Sequence, residues 1–281
     1  MILSRATKER IGLATYNALL PYARQARALN DRIVSLVYTL IRRLIPAAYA
    51  SDGLISLHSH AFMQDPGFVN AYQRGVRAIG GHDTYQFQWR VHVGLWMASV
   101  GAHLDGDFVE CGVNKGFMSS AIMEHLDWNT LDRHFYLLDT FRGLDERFVD
   151  PQTAPQTMRT NEWNLVSGYY VSGVTAVREN FSQWQRVHII EGVIPDTLAQ
   201  VSSQAIAYLH LDLNCAPPEV AALEFFWDKL VPGAPVLLDD YAYIGFTPQK
   251  IAMDNFARAH GVTICSLPTG QGLIMKPPTQ G

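Results

Sequence analysis

From Asp107 onward the chain alternates short apolar runs with helix-like segments, a pattern that admits few folds. Short apolar runs spaced by helices are the mark of parallel strands buried on both faces, with helices packed on each side. The runs at 108–111, 135–139, 187–191, 206–212 and 235–239 are the expected parallel strands. After them, 262–267 and 272–276 flank Pro268-Thr269-Gly270-Gln271, which reads as a hairpin. The expectation is an α/β fold, a doubly wound and mostly parallel seven-stranded sheet with an N-terminal helical extension.

Upstream, residues 1–50 read as helix, with Ile33, Val37, Leu40 and Leu44 on one stripe. Residues 51–66 read as a linker, followed by helices at 68–79, closed by Gly80-Gly81, and at about 86–100. Two parts are expected: an extension, 1–81, that caps the sheet or builds a dimer, and an α/β domain, 82–281. The 281 residues, 48% of them apolar and 17% charged, suffice for one substantial core. A formal charge of −4 counts against a nucleic-acid-binding surface. Residues 1–50 carry eight Lys/Arg against Glu9 and Asp31, a net of +6, which leaves −10 for the remainder. Such a basic arm docks on its own acidic body, on a second copy, or on an anionic surface; the first two are preferred, so a homo-oligomer is expected and membrane contact is not. The apolar run 33–50 is broken by Arg42, Arg43 and Pro46, and no secretory pattern precedes it. Cys111, Cys215 and Cys265 are too scattered for a disulfide framework or a zinc cluster. A soluble, cytoplasmic protein is the expectation.

The chemistry concentrates where the apolar runs end. Glu110-Cys111-Gly112-Val113-Asn114-Lys115-Gly116 closes one run and opens a helix that continues through Ser119 and Ser120. Glycines let a ligand approach the backbone, and a helix N-terminus offers free N–H groups to a carboxylate. The next run ends at Asp139, where a doubly wound fold grips ribose hydroxyls; the bland alternative is a helix cap or a surface acid. Two further runs end at Asp212 and at Asp239-Asp240. Carboxylates gathered on one rim repel each other unless a cation neutralises them, and oxygen-only ligation favours Mg²⁺ or a similar hard ion. The alternative is that Asp239 caps a turn and Asp212 pairs with a lysine or arginine.

Taken in order, several stretches resemble the macrocin O-methyltransferase family, within the class I S-adenosylmethionine-dependent methyltransferases. They are Gly106–Val113, Leu137–Leu144, Glu191-Gly192 with Pro195–Leu198, Leu209–Asp212, and Pro232-Gly233 leading to Asp239-Asp240-Tyr241. The resemblance implies an O-methyltransferase that acts on a hydroxyl of a small molecule or natural-product sugar, with S-adenosylmethionine as cofactor and Mg²⁺ or another divalent cation assisting. It places Glu110, Gly112 and Gly116 along the methionine part of the cofactor and Asp139 at the ribose, with Ser119 and Thr140 beside them. Phe141 and Gly192 border adenine. Asp212, Asp239 and Asp240 become the metal ligands, and Asp212 the proton acceptor. Family members usually carry a second acid two residues after the first metal aspartate, then an aromatic; here Asn214 and Ala216 stand there.

His210, two residues before Asp212, is either a satisfied core histidine or a second catalytic candidate that relays a proton. The 142–170 segment, with Trp163, Tyr169 and Tyr170, reads as a lid. His58 and His60 read as solvated linker residues, and Tyr241 and Tyr243 as packing or acceptor contacts. Two rivals remain at this point. A nicotinamide-dependent oxidoreductase shares the glycine turn and Asp139 but lacks G-x-G-x-x-G, and a degenerate cofactor-binding scaffold is suggested by Asn214 and Ala216.

Overall fold

The computed structural model describes residues 32–45, 48–149, 151 and 154–278. By compactness the chain divides into 1–60 and 61–281. The physical reason is the second helix, α2 (Pro66–Ala78), which buries Phe68, Tyr72 and Val76 in the core of the second unit. Its start follows from local chemistry: Asp65 accepts from the Phe68 N–H at 3.0 Å, and Pro66 sits where a missing N–H costs nothing.

In the first unit, residues 32–44 are helical (α1), and the expected helix 1–50 is cut short by a hairpin. Strands β1 (Tyr49–Ser51) and β2 (Leu54–Ser56) pair antiparallel across Asp52-Gly53. Both turn residues have positive φ, 47° and 73°, as a two-residue hairpin turn demands. The segment expected to be a linker is thus in part a hairpin. Arg42 Nη1 donates to the Ala50 carbonyl at 3.1 Å, and the Gly53 N–H donates to the Tyr38 hydroxyl at 3.0 Å, tying α1 to it. Ile33, Val37, Leu40 and Leu44 are exposed. The rest of the expected helix, residues 1–31, lies outside the described residues.

In the second unit, α3 (Gln88–Ala102) precedes β3 (Asp107–Cys111), α4 (Phe117–His125) and β4 (Phe135–Asp139). Then come α5 (Ala154–Val166), α6 (Thr175–Phe181), β5 (Val187–Glu191), β6 (Ile206–Leu211), α7 (Ala216–Trp227) and β7 (Pro235–Leu238). The chain closes with α8 (Thr247–Ala259), β8 (Cys265–Ser266) and β9 (Gly272–Met275). The sheet runs β5-β4-β3-β6-β7-β9-β8, with β9 antiparallel to both neighbours. This is the expected seven-stranded, mostly parallel sheet.

Alternate side chains divide the core. Phe108, Phe135, Tyr208 and Leu237 pack towards α2, α3 and α4, while Val109, Tyr136, Leu209 and Val236 pack towards α7 and α8. β3 lies between β4 and β6, so connections leave it in opposite directions and open a crevice at the strand carboxyl ends. Among the described residues, no helix is long and apolar enough to cross a membrane.

Candidate active site

The crevice is built by strand ends that interlock one after another. The Gly112 N–H donates to the Leu138 carbonyl at 2.8 Å, Asp212 to Cys111 at 2.8 Å, Asp239 to Leu211 at 2.9 Å and Gly192 to Asp139 at 2.9 Å. These bonds carry the acids that end the apolar runs onto one rim. A cavity of about 510 Å³ opens there, lined by Glu110, Gly112, Asn114, Asp139, Thr140, Gly192, His210, Asp212, Asp239 and Asp240, among others. Its size is ordinary for a cofactor site.

Gly112 is dictated by the fold as much as by any ligand. Its φ is 94°, and a Cβ there would lie 1.8 Å from the Asp212 carbonyl oxygen. Gly116 caps α4 with φ 87°, and a Cβ would meet the Phe181 ring at 2.4 Å. Three residues expected at the cofactor do not line the cavity. Gly116 instead admits Phe181, Ser119 is fully buried on α4, and Phe141 is fully buried in the core with φ 51°.

Asp139 organises the loops at one end. Its carboxylate accepts from the Asn114 N–H at 2.7 Å and from the Phe141 N–H at 2.6 Å. Burial raises its pKa, and these backbone bonds work against the rise. Thr140 Oγ1 donates to the Gly143 carbonyl at 2.5 Å and so fixes the turn that follows.

The other end holds the acids. Glu110 and His210 face each other because β3 and β6 pair in that register. His210 Nδ1 and Glu110 Oε1 lie 3.0 Å apart, both residues being fully enclosed. On the far side, His210 Nε2 stands 3.8 Å from Asp239, a charge contact too long for a hydrogen bond. Burial alone would lower the His210 pKa; the carboxylates of Asp239 and Glu110 outweigh it and push it up to about 10. Glu110 itself is raised by burial, less so because of His210.

Asp239 is held by residues that its own strand does not supply. Arg90, from α3, donates to its carboxylate at 2.7 Å, and Gln271 donates to the other oxygen at 2.8 Å. Thr269 in turn donates to Gln271 Oε1 at 2.8 Å. Burial would raise Asp239, but Arg90, His210 and Gln271 hold it well below the ordinary carboxylate range. Burial, followed by the charge of Asp239, drives both Asp212 and Asp240 well above that range. An arginine partner was weighed for Asp212, but it is Asp239 that takes it.

Among the described residues, Asp212, Asp239 and Asp240 bring ligand oxygens within 4.8 Å of one another. Asp240 Oδ2 is buried with no hydrogen-bond partner. An unsatisfied carboxylate oxygen beside two further acids suits a hard divalent cation, so these residues fit such an ion. Asn214, in the position where an acid was expected, donates to Asp212 Oδ1 at 3.1 Å and has φ 56°, a conformation that asparagine tolerates.

Parts of the 142–170 segment line the cavity. Asp145, Phe148, Ser167, Gly168, Tyr169 and Tyr170 line it, and α5 lies between the two groups. Buried Asn161 of α5 accepts the Leu144 N–H at 2.8 Å, and Arg147 bridges Asp145 and Asp196 at 3.0 and 3.1 Å. Opposite, Asp83 accepts from the Tyr72 hydroxyl and from the N–H groups of Tyr85, Gln86 and Phe87, which sets Tyr85 and Phe87 into the wall. Tyr243 lines the cavity under the Arg90 guanidinium, 4.6 Å from the ring centroid. Tyr241 instead packs inside and donates to Asp254 at 2.5 Å.

Sequence reasoning missed Arg90, Gln271, Asp83 and Asn161. A buried triad of acids demands a cation, which was the signal for Arg90, but nothing local in the chain says which arginine folds back onto it.

The sheet order with an antiparallel strand inserted before the edge, and a crevice joining a glycine loop to a carboxylate rim, define a Rossmann-like methyltransferase fold. Within that class the chain belongs to the macrocin-O-methyltransferase (TylF) family, whose profile matches residues 96–266. It is 31% identical over 145 residues, 49% of the chain, to 8-demethyl-8-(2,3-dimethoxy-alpha-L-rhamnosyl)-tetracenomycin-C 4'-O-methyltransferase of Streptomyces olivaceus. The chain spans about half of that relative's length, 53%. Its fold is similar to that of the O-methyltransferase NovP, with a TM-score of 0.60 at 21% identity, covering 78% of this chain and all of NovP. CalS11, a calicheamicin methyltransferase, is 18% identical over 75% of this chain and 93% of its own, with a TM-score of 0.49.

Proposed function

We propose that the chain is an S-adenosylmethionine-dependent O-methyltransferase whose acceptor is a hydroxyl of a natural-product sugar or a comparable small molecule. One observation carries the reading: a single cavity joins the glycine loop, Asp139 and Gly192 to the rim of Asp212, Asp239 and Asp240. Family membership and the rhamnosyl substrate named for the Streptomyces olivaceus relative support the acceptor class.

When bound, S-adenosylmethionine supplies an electrophilic methyl group, and a divalent ion such as Mg²⁺ supplies charge that lowers the pKa of a nearby hydroxyl. Asp212, Asp239 and Asp240 would hold that ion. The chain's own residues do the rest. Glu110, Gly112, Asp139, Thr140 and Gly192 position the donor. Asp212 receives the hydroxyl proton. Asn214 orients Asp212 through one oxygen. His210, held by Glu110, keeps a positive charge behind the rim, and Arg90 and Gln271 keep Asp239 ionised and still. The 142–170 segment excludes water.

The test is turnover. Purified protein with S-adenosylmethionine and Mg²⁺ is offered a panel of rhamnosides and catechols, and methylated product is sought by mass spectrometry. The reading expects product, a loss with chelator, and a fall of at least about 10²-fold for Asp212→Asn with cofactor binding retained. Cofactor binding without product from any acceptor class would support the scaffold alternative instead.

A further inference from the structure

Asn114 stands between Gly112 and Gly116 in the loop at the carboxyl end of β3, and three of its groups are engaged at once. Its N–H donates to Asp139 at 2.7 Å. Its side-chain Oδ1 accepts the Val171 N–H at 2.8 Å, and Nδ2 donates to the Tyr169 carbonyl at 3.1 Å. Its φ is 50°, in the left-handed region, where asparagine is favoured over most residues. The next residue, Lys115, donates through Nζ to the Gly168 carbonyl. Among the described residues, these polar ties between the loop and the covering segment fall on residues 168–171, the stretch that brings Tyr169 and Tyr170 to the cavity.

From this geometry we infer that Asn114 is a positioning residue, which clamps the Tyr169–Val171 edge of the covering segment to the cofactor loop. The inference rests on the function proposed above. The side-chain amide replaces two backbone partners that this edge would otherwise have to find in water. The edge needs them: Tyr169 and Tyr170 belong to no strand, and the preceding helix ends at Val166. The same residue is fixed to Asp139 through its main chain, so the end of β4, the glycine loop and the cover move as one body. An aliphatic residue at 114 keeps the main-chain bond and loses both ties to the cover. Aspartate keeps the acceptor for Val171 and loses the donor for Tyr169. Glycine accommodates the positive φ freely and removes both.

Hydrogen exchange at single-residue resolution on the full chain, with and without S-adenosylhomocysteine, tests this. In the wild type the Val171 amide is expected to exchange more slowly than the neighbouring Tyr169 amide. In Asn114→Gly it is expected to exchange roughly tenfold faster, the effect of losing one hydrogen bond to a locally opening segment. Asn114→Asp is expected to restore most of the protection, a rescue that general loss of structure would not show. Equal Val171 exchange in the wild type and Asn114→Gly overturns the inference, as does an unprotected Val171 in the wild type should the glycine variant fail to fold. Failure of S-adenosylhomocysteine to bind would count against the proposed function alone, because the exchange contrast at Val171 is read without ligand.

Discussion

At Gly112 the sheet leaves no room for any other residue. A Cβ 1.8 Å from the Asp212 carbonyl oxygen, at φ 94°, forces the ends of β3 and β6 apart. Gly112→Ala is therefore expected to cost about 3 kcal/mol or more in unfolding free energy, measured by urea denaturation without ligand. His210 allows a prediction in pH. Its pKa is about 10 in the fold against about 6.5 in an unfolded chain, so the fold holds a proton that the unfolded chain releases. The stabilisation from its contacts with Glu110 and Asp239 is complete below about pH 6.5 and is lost as pH rises towards 10. In ion-free protein, the stability gap between wild type and His210→Gln should shrink over that interval; a constant gap would deny the charged contact. Glu110, Gly112, Asp139, Asp212, Asp239 and Asp240 were legible in the sequence because each sits where an apolar run stops, and parallel strands stop on one rim. Gly116, Ser119 and Phe141 do not line the cavity although they adjoin residues that do, because adjacency in the chain does not say which residues face the crevice. Arg90 and Gln271 reach Asp239 across 149 and 32 residues of chain, a distance no local pattern spans.

Among the elements, α3 does more than cover the sheet. Through Arg90 it anchors the end of β7, in an ion pair whose side chains are 7% and 15% exposed. Removing one partner of so enclosed a pair strands the other, so Arg90→Met is expected to cost about 3 kcal/mol and to mobilise Asp239. An unchanged unfolding midpoint would contradict this. The strands themselves were readable from apolar run length, and the end of α2 from Gly80-Gly81, whereas its start at Pro66 had been read as linker. The β1–β2 hairpin was not read, although Asp52-Gly53 is the dipeptide such a turn prefers, because its strands are only three residues each. α5 was hidden for a different reason: only Asn161 of its thirteen residues is buried, so it carries no apolar stripe. The rim formed by β6 and β7 supplies a further prediction. Burial and Asp239 hold Asp212 and Asp240 protonated more readily than ordinary carboxyls, so a bound divalent ion must displace protons. Mg²⁺ affinity should therefore rise with pH until both carboxyls are ionised, as read by calorimetry in buffers of different ionisation heat; a pH-independent affinity would place the ion elsewhere.

For the molecule as a whole, the sheet order joins two halves of one task. On the proposed function, the β3–β4 side would hold the nucleoside-bearing donor and the β6–β7 acids would draw the proton from the hydroxyl, while Asp145, Phe148 and residues 167–170 line the same cavity. The antiparallel β9 between β7 and β8 separates this sheet from the all-parallel dinucleotide-binding kind, as does Asn114 in place of a middle glycine. On the proposed function, this cavity takes S-adenosylmethionine. The most direct test is calorimetric titration of S-adenosylmethionine into the purified full chain with Mg²⁺ present, with NADH titrated under the same conditions. Saturable binding of S-adenosylmethionine at one site per chain, with no heat from NADH, is the predicted result. No binding of S-adenosylmethionine, or a preference for NADH, would contradict the account.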